Sequence, residues 1–134
     1  MSYDLMSYFE KDRFAAYIGI KLIEVKPGYA KANMEITDKH FNAANIIQGG
    51  VIFTLADFVF EAASNSYGQV SLGINANISY FQTSKGKMLI AEAKEISASK
   101  KIASYNVDIF NEYKETIARF TGMVYRKKDK LNLV

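Results

Sequence analysis

The chain has 134 residues, 49% of them hydrophobic, which is enough for one domain with a real core and too little for two. It has no cysteine, which excludes disulfides and a thiolate site, and a single histidine, His40, which argues against zinc and against a Cys-His or Ser-His nucleophile pair. Seventeen basic residues against fourteen acidic ones give a formal +3 and a sequence pI near 9.0, which permits an anionic ligand without establishing one.

Taken in chain order, residues 3–17 set Leu5, Phe9 and Phe14 among charges at helix-compatible spacing, and predict one short N-terminal helix lying on the domain. The charges there leave no apolar run of the kind a signal peptide needs, and the protein is expected in the cytoplasm. Residues 18–25 and 30–36 alternate around Lys26, Pro27, Gly28 and Tyr29 and predict a hairpin. From 50 to 66 apolar residues point in nearly every direction, which reads as a buried central helix, stopped by Gly68. Four further strands are predicted over 69–81, 88–97, 102–110 and 115–126, the first of them alternating Leu72, Ile74, Ala76, Ile78 and Tyr80 with small and polar residues. The basic run Arg126-Lys127-Lys128-Asp129-Lys130 reads as a solvated tail rather than a nucleic-acid patch, and no phosphate-cradling loop, dinucleotide motif or RNA-binding motif is present.

Long antiparallel strands and one apolar helix predict an α+β domain over 1–134: a curved sheet of about six strands rolled around the helix. Such a sheet cannot easily cover the helix and protect both its edges, so self-association is expected.

The central helix carries two charges, Asp57 and Glu61, which also keep its apolar run well short of a membrane span. Burying a carboxylate is costly unless it is paired, so Asp57 calls for a reason. Glu61, four residues on, is either a second carboxylate on the same face or a surface acid paired with a lysine. Gly49 and Gly50 sit at the helix start, where backbone N–H groups have no intrahelical partner and the dipole is positive. Such amides suit a carbonyl oxygen gaining negative charge. Asp57 lies eight residues beyond Gly49, roughly 12 Å along its own helix, too far to serve those amides. In a symmetric dimer with antiparallel helices, the Asp57 of one chain would face the Gly49 of the other.

The stretch Gln48-Gly49-Gly50-Val51-Ile52-Phe53-Thr54-Leu55-Ala56-Asp57, preceded by His40-Phe41-Asn42 and followed by Asn65-Ser66-Tyr67-Gly68, resembles the core motif of hotdog-fold acyl-CoA thioesterases of the phenylacetate-degradation type. Residues 9–14, Tyr80-Phe81 and Phe120-Thr121-Gly122 fall where that family has like residues, so the similarity spans nearly the whole chain. The resemblance implies the hotdog fold, two units joined edge to edge into one sheet, a homodimer or homotetramer, and active sites between subunits. It implies an acyl-CoA substrate, with no metal, no separate cofactor, no nucleic acid and no membrane. By position it makes Asp57 the catalytic carboxylate, as general base or as nucleophile through a transient anhydride. Gly49 becomes the backbone donor to the thioester carbonyl, and Asn42 a polar residue set before the helix.

Two departures are visible. Many relatives have histidine where this chain has Gln48, and several place Ser or Thr where alignment on Tyr80-Phe81 puts Gly73. Asn75, two residues on, is expected on the same strand face as Gly73. Gln48 and Gly50 are expected to border the substrate, and Lys100 and Lys101 to form the basic rim that coenzyme A phosphates need. The alternative to hydrolysis is a non-catalytic acyl-CoA-binding protein.

Overall fold

The structure, a computed structural model, describes residues 2–133. The N-terminal segment forms two helices where one was expected, α1 (Ser2–Phe9) and α2 (Arg13–Ile18). The break comes from Asp12, whose extended backbone and side-chain acceptor, 3.0 Å from the Ala15 N–H, cap a new helix start. Gly19, at φ 91°, ends α2 in the left-handed region. Leu5, Phe9, Ala15 and Ile18 are buried, which fastens both helices to the domain.

The hairpin follows as β1 (Ile20–Lys26) and β2 (Tyr29–Glu35). A 3-10 turn at Asp38–His40 leads to the central helix α3 (Gly49–Ser64), and then come β3 (Gln69–Tyr80), β4 (Met88–Ala98), β5 (Ile102–Asn111) and β6 (Thr116–Lys130). All six strands pair antiparallel in the order β1-β2-β4-β5-β6-β3, so β1 and β3 are the edges.

The sheet wraps α3, and Leu55, Ala56, Val59, Ala62 and Ala63 are fully buried against it. The helix is left uncovered along one stripe, where Gly50, Asp57 and Glu61 are exposed and Thr54 is half-buried. The expectation of a buried Asp57 therefore does not hold in the single chain. The helix ends at Ser64, two residues earlier than expected, because Asn65 is a clamp. Its side chain donates to the Glu61 carbonyl (2.9 Å) and the Ser71 carbonyl (3.2 Å) and accepts from the Ser71 N–H (2.8 Å), tying the end of α3 to the start of β3.

Phe60 shows how closely helix and sheet meet. Its ring packs 5.3 Å from Phe120 and 5.9 Å from Tyr105, and a Cβ added at Gly122 would stand 2.7 Å from two of its ring atoms. A rigid aromatic cannot yield that distance without moving the helix. Gly122→Ala is expected to cost about 1–3 kcal/mol through overpacking. A lowered melting temperature, partly restored by adding Phe60→Leu, is the check.

Two strands depart from the sequence reading. A bulge shifts the β3–β6 register between Gly73, opposite Val124, and Asn75, opposite Met123. Val124 is buried and Met123 exposed, so Gly73 faces the helix while Asn75 faces outward. Leu72, beside Gly73, therefore faces outward, and with Ile74 in the bulge it is exposed, at 52% and 56%, on an edge strand. The second departure is β6, which runs on to Lys130, so the basic run lies largely within a paired strand rather than a tail.

Candidate functional site

The start of α3 is held from both sides. Gln48 is its N-cap residue, and its N–H donates to the His40 carbonyl at 2.9 Å, but its side chain makes no cap bond. The Gln48 carbonyl accepts from the N–H groups of Val51 and Ile52. Among the described residues the N–H groups of Gly49 and Gly50 donate to nothing. They are the unsatisfied donors that a helix N-terminus leaves, at its positive pole. The Tyr80 hydroxyl donates to the Gly49 carbonyl at 3.0 Å and so fixes this first turn against the end of β3.

A cavity of about 340 Å³ opens here, lined by Asn42, Ile47, Gly49, Ile52, Tyr80 and Phe81 among others. Asn42 is engaged in its own loop: its Oδ1 accepts from the N–H groups of Ala44 (2.9 Å) and Ile46 (3.2 Å). It is therefore a turn-forming residue that also borders the cavity. The side chain of Gln48 lies back over Gly50, its Oε1 2.7 Å from where a Cβ there would stand.

Asp57 opens into a different groove of about 270 Å³, lined by Tyr8, Phe60, Glu61, Ser71 and Gly73 with others. One chain thus brings Asp57 and Gly73 together and keeps both apart from Gly49 and Asn42. Asp57 accepts no hydrogen bond and forms no ion pair among the described residues. Its carboxyl is open to solvent yet crowded by protein, and this desolvation, with the nearby Asp12 carboxylate second, raises its pKa above the ordinary range. Asn75 does not line this groove, because the bulge turns it to the other face, which corrects the expectation that it shares a strand face with Gly73.

His40 is buried and locked. Its Nδ1 accepts from the Thr37 N–H at 2.9 Å and its Nε2 lies 2.7 Å from the Ile18 carbonyl, which together require the neutral ring with the proton on Nε2. It is a structural brace between the hairpin and the approach to α3.

Lys100 and Lys101 line a third cavity, about 540 Å³, together with Arg126, Lys127 and Lys128. The Arg126 N–H donates to the Lys101 carbonyl at 2.6 Å, and its guanidinium donates to the Ser99 carbonyl at 2.9 Å. Sequence reasoning separated these two basic groups. The signal was available, because a β5–β6 hairpin turning just after Asn111 pairs Ile102 with Tyr125 and so sets the two lysines beside Arg126 and Lys127. No group of three or more His, Cys, Asp or Glu among the described residues is placed to hold a metal ion, and no described helix is long and apolar enough to cross a membrane.

Residues 44–118 match the family described as the thioesterase superfamily, a span that includes all of α3. The chain belongs to that superfamily, as a hotdog protein of the phenylacetate-degradation type. It is 40% identical over 119 residues to a protein of Archaeoglobus fulgidus, covering 88% of this chain and 77% of that one. It is 30% identical over 119 residues to the acyl-coenzyme A thioesterase PaaI of Escherichia coli, covering 88% of this chain and 85% of that one. The solved structure of E. coli PaaI, from the phenylacetic acid degradation operon, superimposes with a TM-score of 0.91 at 26% identity, covering 98% of this chain and 99% of that one. A Thermus thermophilus phenylacetic acid degradation protein PaaI, solved as an N33D mutant, gives 0.82 at 30% identity, covering 87% of this chain and all of that one.

Proposed function

We propose that the protein hydrolyses aryl- or fatty-acyl-CoA thioesters to the free acid and coenzyme A, at sites that two chains build together. The observation that carries this reading is the separation of Asp57 from the Gly49 amide along one uncovered helix stripe, each in its own groove. A second chain supplies what the first lacks. The exposed apolar edge of β3, with Leu72 and Ile74, is the natural seam: pairing it with a second β3 continues the sheet and sets two α3 helices against each other.

In that arrangement the Gly49 N–H of one chain polarises the thioester carbonyl, with Gly50 and Gln48 beside it. The Asp57 carboxylate of the other chain either takes a proton from an attacking water or attacks the carbonyl itself to form an anhydride that water then opens. Asn42 borders the same cavity as Gly49. The solved relative with the highest superposition quoted above is named an acyl-CoA thioesterase, which supports the substrate class.

Release of free thiol from a panel of aryl- and fatty-acyl-CoA esters tests the reading. Tight acyl-CoA binding with no thiol released across the panel would instead favour a binding module. The basic cavity makes a separate prediction. Exposed charge contacts are worth up to about 1 kcal/mol each, so Lys100→Ala with Lys101→Ala should raise KM for CoA esters roughly 3- to 10-fold at low salt. Pantetheine thioesters, which lack the nucleotide phosphates, should show no change.

A further inference from the structure

We propose that Glu61 is the general acid of this reaction, holding the proton that the departing sulfur takes up while Asp57 activates the water. The proposal rests on the thioesterase reading above. Glu61 stands one helical turn beyond Asp57 on the same uncovered stripe, and both side chains line one groove. The expected lysine partner is missing: among the described residues the Glu61 carboxyl has no ion pair and accepts no hydrogen bond.

The groups facing it explain what it does instead. Helix α1 contributes Tyr8, the start of α2 contributes Asp12, and α3 contributes Asp57. Strand β3 and the segment after β6 contribute Val70, Ser71, Leu72, Gly73 and Leu131, none of which ionises. Among the described residues, the charges facing Glu61 are therefore all negative. Desolvation first, then Asp12 and Asp57, push the Glu61 pKa up to about 7, so a large share of Glu61 still carries its proton near neutrality. The same burial and the same Asp12 raise Asp57 as well, and the Asp57 charge adds a further rise at Glu61, so of two neighbouring carboxyls Glu61 is placed to hold the proton and Asp57 to give up its own first.

The step balances with water alone. Asp57 takes a proton from water as the water oxygen bonds to the carbonyl carbon. The C–S bond then breaks, its electron pair goes to sulfur, and the Glu61 proton follows it. The proton on Asp57 returns to Glu61 through solvent, leaving free acid and thiol. A thiolate can depart unaided, but one formed in this groove near the Asp12 carboxylate meets like charge and little solvent, and a proton from Glu61 removes that cost.

The test is Glu61→Gln, which keeps size and polarity but has no proton to give. Thiol release is measured on an acyl-CoA and on the same acyl group carried by a nitro-substituted thiophenol, whose thiolate leaves without help. The expected result is a loss on the order of 100-fold in kcat on the CoA ester and near wild-type turnover on the aryl thioester, which also shows that the variant's site is intact. Wild-type kcat on the CoA ester should fall as pH rises through about 7, where Glu61 loses its proton, and the variant should lack that limb. Unchanged turnover of the CoA ester, or equal slowing on both esters, overturns the proposal for Glu61 alone. A wild type inactive on both esters overturns the thioesterase reading, and this proposal with it.

Discussion

Asp57→Asn is expected to lower thiol release from acyl-CoA esters on the order of 1,000-fold, within the range by which a positioned acid or base accelerates a reaction. The amide keeps the shape of the side chain but cannot take a proton from water or form an anhydride. Misfolding would be a trivial cause of lost activity, and the local electrostatics argue against it. Asp57 has no partner to lose, and its carboxyl is crowded by protein with Asp12 nearby, so removing its charge relieves a cost. The variant's melting temperature should equal or exceed that of the wild type at neutral pH. Comparable rates for the two proteins would remove Asp57 from the mechanism.

A second large effect is expected from deleting one amide hydrogen. Gly49 is the first residue of α3, a position where proline is tolerated because its missing N–H has no helical acceptor. The residue before it, Gln48, already has φ −66° and ψ 135°, in the extended region that a following proline imposes. A Cβ at this position would meet the Tyr80 side chain, with its hydroxyl 3.2 Å away. Gly49→Pro should therefore fold, keep its helix content by circular dichroism, and lose about 100- to 1,000-fold in kcat, as when one oxyanion donor is removed.

The two variants also report on each other. Chains carrying Asp57→Asn and chains carrying Gly49→Pro are each nearly inactive alone. If the site is shared between chains, a heterodimer holds one intact site, formed by the unmutated Gly49 of one chain and the unmutated Asp57 of the other. Unfolding and refolding an equal mixture should then recover about a quarter of wild-type activity, since half the dimers are mixed and half their sites are whole. No recovery would place the reaction within a single chain.

Much of this protein can be read from residue order alone. The apolar run of α3, the alternation of β4 and β5 and the turn at Pro27-Gly28 are local periodicities, and each appears where its pattern lies. The pairing of a Gly-Gly helix start with an acid two turns on is likewise a matter of spacing, because one helix fixes it. What residue order left open depends on neighbours distant in the chain. The N-terminal helix breaks where Asp12 captures the Ala15 N–H, one hydrogen bond that periodicity does not register. Asn75 changes face because β3 must match β6 across a bulge, and a one-residue shift against the partner strand reverses every later side chain. Among the described residues Glu61 stands unpaired because the segments folded against it bring acids and uncharged groups and no lysine, while the two basic stretches meet only through the β5–β6 pairing. Sequence alone determined the apolar central helix and the spacing that sets Asp57 two turns beyond its Gly-Gly start. Only the tertiary structure decided what surrounds that acid, because strand register and charge environment are properties of the folded sheet and not of any one segment.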